Sequence, residues 1–292
     1  MKHYLFILCF ISSWKSIAQN AVLSSKDSLF FWGDAMISMR DQQFRNISAE
    51  RFNDLWYRQV NSLSDTNLLN FHPSIIKVNS ADGQLRIYTW ARETHQGTNQ
   101  YYACIFYKEE KPFCLVSKPR NYQRINYDDF TNRDWYGALY YHIVPDTFDG
   151  RYLLLGFCQS PDGTKHRIIE PLQVDQGNCH FGRDLFIKEN EKREKESFHR
   201  IVLHYSPSAQ VAIRYEQEAK QFMFDHIEHV IDPKSGETLK IPDGTFEAYI
   251  WMENKFEHID YLKNTPMDTA PVEKPVFGPD SKQRDIFGRK KN

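Results

Sequence analysis

The chain has 292 residues, 37 of them basic and 38 acidic, for a net charge of −1, and 15% are aromatic. Charges this balanced, with no basic stripe before the last few residues, lack the electrostatic footprint of a nucleic-acid binder. There is also no Gly-x-Ser-x-Gly elbow, phosphate-binding glycine loop, dinucleotide fingerprint or Cys-x-x-Cys pair, so the sequence announces no catalytic motif, metal or cofactor.

Residues 1–18 read as a secretory signal peptide. Lys2 and His3 precede the apolar run Leu5–Ile11, and Ser16-Ile17-Ala18 supplies small residues before a cleavage point at Gln19. The apolar run is shorter than the roughly 20 residues needed to span a bilayer, and Leu8 is bulky where lipid attachment at Cys9 needs a small residue. The expectation is a soluble exported protein, periplasmic or at the cell surface, with no transmembrane segment. Its mature form loses Lys2 and Lys15, which leaves 35 basic against 38 acidic residues and a charge of −3.

Residues 19–66 form the expected N-terminal helical segment. Leu29, Trp32, Met36 and Met39 recur at helical spacing, and Ser48 with Glu50 suggests the start of a second helix carrying Phe52, Leu55, Trp56, Val60 and Leu63. Two short amphipathic helices cannot bury their stripes alone, so they should pack on a sheet formed by the rest of the chain.

From 67 to 262 the periodicity changes to two. Four Asp-Gly pairs (82–83, 149–150, 162–163 and 243–244) sit between runs of β-forming residues, and each is a hairpin signal because Gly adopts positive φ freely and Asp tolerates it. In the run after the first pair, Leu85, Ile87 and Thr89 face one way while Arg86, Tyr88 and Trp90 face the other. Later runs include 201–205, 211–216 and 221–227, read as a meander, and 246–251 and 256–261, read as a hairpin around Asn254-Lys255. Ten or more short strands with frequent turns define the expected fold class: mainly β, an antiparallel multi-hairpin sandwich or barrel-like sheet, with the two N-terminal helices packed on it. The mixed-charge run 188–195 reads as a solvated loop or short exposed helix. Residues 263–292, with four prolines and a basic end, read as a flexible tail.

Of the four cysteines beyond the signal peptide, Cys104 and Cys114 flank one turn, and a bridge between them depends on strand register. Cys158 and Cys179 complete an even count that permits two disulfides or none. Two Asp-Ser/Thr-apolar triplets, Asp27-Ser28-Leu29 and Asp268-Thr269-Ala270, match a short O-glycosylation pattern.

The segments SADGQLRIYTW (80–90), DWYGALYYHIVP (134–145), YLLLGF (152–157), SAQVAIRYE (208–216) and FMFDHI (222–227) occur in an order that resembles a group of secreted Bacteroidota-type proteins with no assigned activity. The resemblance implies an exported location and a β architecture across residues 26–262. The chain departs from the pattern at Phe157-Cys158-Gln159, where a Trp-Asp-Gly-like turn is expected.

Three functions are compatible with these features. The first is a non-catalytic binding or envelope-accessory protein that meets an envelope protein partner. The second is an envelope hydrolase drawing on Asp225, His226 and His229, which requires at least two of those side chains in one pocket. The third is a glycan-binding module that presents Trp90, Trp135 and Tyr140 on one exposed face.

Overall fold

A computed structural model describes residues 25–260, apart from 63–71, 95–97, 109, 119–121, 123, 176 and 191. The signal peptide, the C-terminal tail and the triplet at 268–270 lie outside the described residues. The chain is mainly β, and no helix among the described residues is long and apolar enough to cross a membrane.

Two helices come first, α1 (Ser25–Ser38) and α2 (Gln42–Ser62). Asp41, not Ser48, caps the second: its Oδ1 accepts the amides of Gln43 at 2.7 Å and Phe44 at 3.2 Å. That leaves the buried Ser48 in the helix interior.

The strands form three sheets. The first is β1 (Ile76–Asn79), β2 (Leu85–Glu93), β3 (Asn99–Tyr107) and β4 (Phe113–Val116) in sequential order. The central sheet contains β5 (Phe130–Thr131), β6 (Leu139–Phe148), β7 (Arg151–Gln159), β8 (Lys165–Asp175) and β9 (Asn178–Phe181). The third sheet draws on β10 (Phe186–Glu189), β11 (Lys195–Phe198), β13 (Ile213–Glu216), β14 (Gln221–Ile231), β15 (Thr238–Met252) and β16 (Lys255–Ile259). Strand β12 (Ile201–Tyr205) pairs with β8, so the expected meander at 201–227 is split between two sheets. The charge run 188–195 is the tip of the β10–β11 hairpin: the strands end at Glu189 and Lys195, and the described residues between them are the expected exposed loop, with Asn190 Oδ1 accepting the amides of Lys192 and Glu194.

Alternation along the strands stacks four layers. Leu85, Ile87, Ala103 and Ile105 point at Leu154, Ile168 and Leu172 of the central sheet. Their neighbours Tyr88, Trp90, Tyr102 and Cys104 point instead at Phe52, Trp56 and Val60 of α2. The central sheet is covered on its other face too, where Leu153, Leu155 and Ile169 meet Phe222, Phe224, Tyr249 and Phe256 of the third sheet. Each such side chain contributes about 1.5–3 kcal/mol on burial.

The Asp-Gly pairs do three different things. Asp149-Gly150, both at positive φ, is the tight two-residue hairpin turn between Phe148 and Arg151. Ser80-Ala-Asp-Gly-Gln84 and Ser160-Pro-Asp-Gly-Thr164 are five-residue turns built alike: the serine hydroxyl and the amide after the glycine both donate to the aspartate Oδ1. Asp243-Gly244 makes no hairpin turn. It lies in a bulge within β15, opposite His226, and the reversal between β14 and β15 is made instead at Asp232–Glu237.

Cys104 and Cys114 are directly opposite in register and are disulfide-bonded. Cys158 and Cys179 are buried free thiols.

Candidate binding cleft and carboxylate–imidazole cluster

The residues singled out for a glycan platform are interior. Trp90, Trp135 and Tyr140 have zero exposure. Trp90 packs toward α2 while the other two pack between the first and central sheets, so the three rings form no exposed face. The indole N–H of Trp90 donates to Asn53 at 3.1 Å and that of Trp135 to the Tyr140 hydroxyl at 3.1 Å. A buried ring with a satisfied polar edge is a core residue.

The hydrolase candidates are separated as well. Asp225 lines a cleft, where its Oδ2 accepts the Ala212 amide at 2.8 Å. His226 is half-buried against Glu247 in another environment. His229 is exposed, opposite Lys240 on the outer arm of the β14–β15 hairpin. Among the described residues, the cleft takes Asp225 without His226 or His229, so the three do not assemble an acid–base pair there.

Two other features carry chemistry. The first is the cleft itself, about 760 Å³, at one end of the packing between the central and third sheets. The face of the central sheet that buries Leu153, Leu155, Ile169 and Ile201 continues past that core as Phe157, Arg167, Lys165, Leu203 and Tyr205. The apolar row thus ends in cations and rings. The Arg167 guanidinium lies 5.0 Å from the Tyr141 ring centre and 5.7 Å from that of Phe157, and its Nε donates to Val211 O at 3.1 Å. Lys165 Nζ donates to Pro207 O. Burial raises the phenols of Tyr141 and Tyr205, opposed by Arg167, so both stay neutral donors. Tyr141 reaches the cleft because successive residues of β6 face opposite sides of the sheet, so Tyr141 points away from the side taken by Tyr140.

The second feature is a chain of alternating carboxylates and imidazoles on the third sheet. His226 Nδ1 and His258 Nε2 each contact a different oxygen of Glu247. Asp260 Oδ1 lies 3.2 Å from the other nitrogen of His258, Asp243 Oδ2 lies 4.0 Å from the other nitrogen of His226, and Lys188 Nζ is 3.4 Å from Glu247. Burial raises the Glu247 carboxyl, but hydrogen bonds from the two imidazoles and the charge of Lys188 outweigh it and bring the group down to about 2. Glu247 and His258 were not singled out from the sequence, because they come from β15 and β16 and no local motif joins them.

A third polar group is closed off from solvent. Arg200 and Glu170 are both fully buried, with Nε and Oε1 at 2.9 Å. The Tyr136 hydroxyl donates to the other Glu170 oxygen, while Arg200 also donates to the carbonyls of Ile125, Asp128 and Phe181. Gly182 makes room for this clamp: a Cβ there would stand 2.5 Å from Arg200 Nη2. Desolvation pushes the Glu170 carboxyl up and Arg200 pulls it back. With its polar atoms turned to the protein, this clamp organises the loop at 125–131.

Comparison with protein-family models, curated proteins and solved structures returns no match.

Proposed function

We propose that this protein is an exported, non-catalytic binding module of the cell envelope, and that its ligand site is the cleft lined by Tyr141, Phe157, Arg167 and Tyr205. The observation that carries the reading is a guanidinium within 5.0 and 5.7 Å of two ring centres in the lining of an open cavity. Such an arrangement recognises an anionic group with its planar fork and offers ring faces to the apolar part of the same ligand. Asp225 on the cleft wall adds one acceptor, which favours a ligand with donors of its own, such as a peptide or a substituted sugar acid. The separation of Asp225, His226 and His229 supports a role without catalysis by those residues.

The test is site-specific photo-cross-linking in the native cell, with the photoreactive residue replacing Gln210, an exposed member of the cleft rim. A discrete adduct, reduced about tenfold or more by Arg167→Gln, is the expected result, in line with loss of a charge-assisted contact. No adduct, or one indifferent to Arg167→Gln and Tyr141→Ala, overturns the proposal.

A further inference from the structure

Beyond the bulge between Asp225 and Ile227, the β14–β15 hairpin continues as a two-stranded arm, paired from Ile227↔Pro242 to Ile231↔Thr238. Two strands alone make a marginal sheet in water. One edge of the arm is held by the turn after β12: Ser206 N donates to Lys240 O at 2.9 Å, and Lys240 N donates to Ser206 Oγ at 2.8 Å. Those two bonds also settle the other edge. In an antiparallel ladder, opposite residues alternate between pairs that exchange hydrogen bonds and pairs that turn their backbone groups outward. Lys240 commits both groups to Ser206, so His229↔Lys240 is an outward pair. Two residues either way, Ile227↔Pro242 and Ile231↔Thr238 are outward as well. Pro242, with no N–H to offer, suits such a place, and the bond from Asp232 N to Glu237 O at 2.9 Å keeps the same alternation at the tip.

Ile227, His229 and Ile231 therefore aim their N–H and C=O groups away from β15. On that side β13 pairs with Gln221–Phe224, and a last bond runs from Asp225 N to Ala212 O at 3.3 Å. Among the described residues, no strand pairs with β14 on that side past this point. Glu228 to Ile231 are exposed, and Ile231, at 69%, is the most exposed large apolar side chain of the described residues. An apolar edge strand with open backbone groups is a template for another strand.

We propose that this edge pairs antiparallel with the same edge of a second copy of the chain, with the two-fold axis at His229. An interface between like copies must be self-complementary, and this edge is. Set against itself about that axis, Ile227-Glu228-His229-Val230-Ile231 places Ile231 opposite the other copy's Ile227, His229 opposite His229, and Glu228 opposite Val230. No carboxylate stands directly opposite its like. Ile227 already packs on Tyr205, Ala209 and Val211, and Ile231 of the second copy extends that apolar surface. The outward residues supply about six interchain hydrogen bonds, and the two arms join into one four-stranded sheet. Apart from Asp225 at its start, the edge lies outside the lining of the cleft, so the proposal stands without the ligand-binding reading.

The experiment is sedimentation equilibrium of the mature chain between about 1 and 200 µM, a range suited to so small an interface, with mild oxidation of a cysteine variant as the register check. The expected result is a monomer–dimer equilibrium. His229→Pro removes the central outward N–H while leaving the β14–β15 ladder its own bonds, and should weaken association about tenfold or more. Ile231→Glu, which alters only an exposed side chain, should do the same and decides the matter should His229→Pro fail to fold. Val116→Glu, at an exposed apolar position on the first sheet, should leave association unchanged. His229→Cys meets its own copy across the axis within disulfide reach, so a linked dimer should appear on a non-reducing gel; Lys234→Cys, in the turn at the tip, should give none. Circular dichroism checks that each variant is folded. A monomer throughout the range, a dimer indifferent to Ile231→Glu or weakened by Val116→Glu, or linkage at 234 rather than at 229 overturns the assignment.

Discussion

The helix-side half of the molecule and the third sheet handle polar groups in opposite ways. Between α2, the first sheet and the central sheet, the layers are filled by Phe52, Trp56, Trp90, Trp135 and Tyr140, and the charged pair Arg200–Glu170 is sealed among backbone carbonyls. On the third sheet, Glu247, His226, His258, Asp243 and Asp260 stand in a row that solvent reaches from one end. The reason is coverage. A sheet packed on both faces tolerates only apolar side chains or fully compensated charges, because an uncompensated one costs several kcal/mol. Where the packing between the central and third sheets runs out, side chains on those same faces reach water, and the cleft and the titratable row both sit there. Stability should therefore be concentrated in the first region and ligand chemistry in the second.

The sharpest break of that contrast is Arg200→Met. It strands Glu170 in the interior and should cost about 3–5 kcal/mol by urea denaturation, a large share of the roughly 5–15 kcal/mol typical of a folded domain. A loss under about 1 kcal/mol would show that the clamp is open to water. Reduction of Cys104–Cys114, which closes a short loop beneath α2, should remove about 2–3 kcal/mol, read as a shift in the urea midpoint with and without a reductant.

A third expectation concerns His166 and His204, whose Nδ1 atoms are 2.9 Å apart near the cleft end of the central sheet. Burial, then the neighbouring imidazole, brings His166 down to about 3. Burial, then Lys240, brings His204 down to about 4. Tyr122 stacks on His166, and Asp162 pulls weakly the other way. The folded chain keeps both rings neutral, whereas an unfolded chain takes up protons below about 6.5. The stability tied to this pair is thus fully present above about pH 6.5 and is lost as the pH falls toward 4. His166→Phe should flatten the dependence of the urea midpoint between pH 7 and pH 5 by roughly half; an unchanged slope would place the acid sensitivity elsewhere.

The smallest effect is expected on the third sheet's surface. Lys195→Ala breaks an exposed pair with Glu257 and should change stability by about 0.5 kcal/mol or less. Tyr141→Ala, at the cleft, should likewise leave the fold intact while abolishing the adduct formed from position 210. If it unfolds the chain, the division between a stable half and a binding half fails.

Local pattern carried a good part of this architecture. The change from helical spacing to alternation marks where the helices give way to strands, and the alternation in β2 separates Leu85 and Ile87 from Tyr88 and Trp90, which do face different layers. Alternation also turns Tyr140 into the core and its neighbour Tyr141 toward the cleft, though which face is which is set by the neighbouring sheets. The same logic faltered where extra residues intervened. Asp243-Gly244 has the composition of a hairpin turn, yet a longer strand absorbs it as a bulge.

The mainly β class, the two helices and most of the turn-forming segments were written in the order of residues alone, because each depends on neighbours a few positions away. Three contacts were not: β12 leaves its neighbours to pair with β8, Cys114 stands opposite Cys104, and Glu247 meets His226 and His258. Those contacts depend on strand order and register. Both are settled by which apolar faces can be buried together, a global quantity that no short window of residues contains.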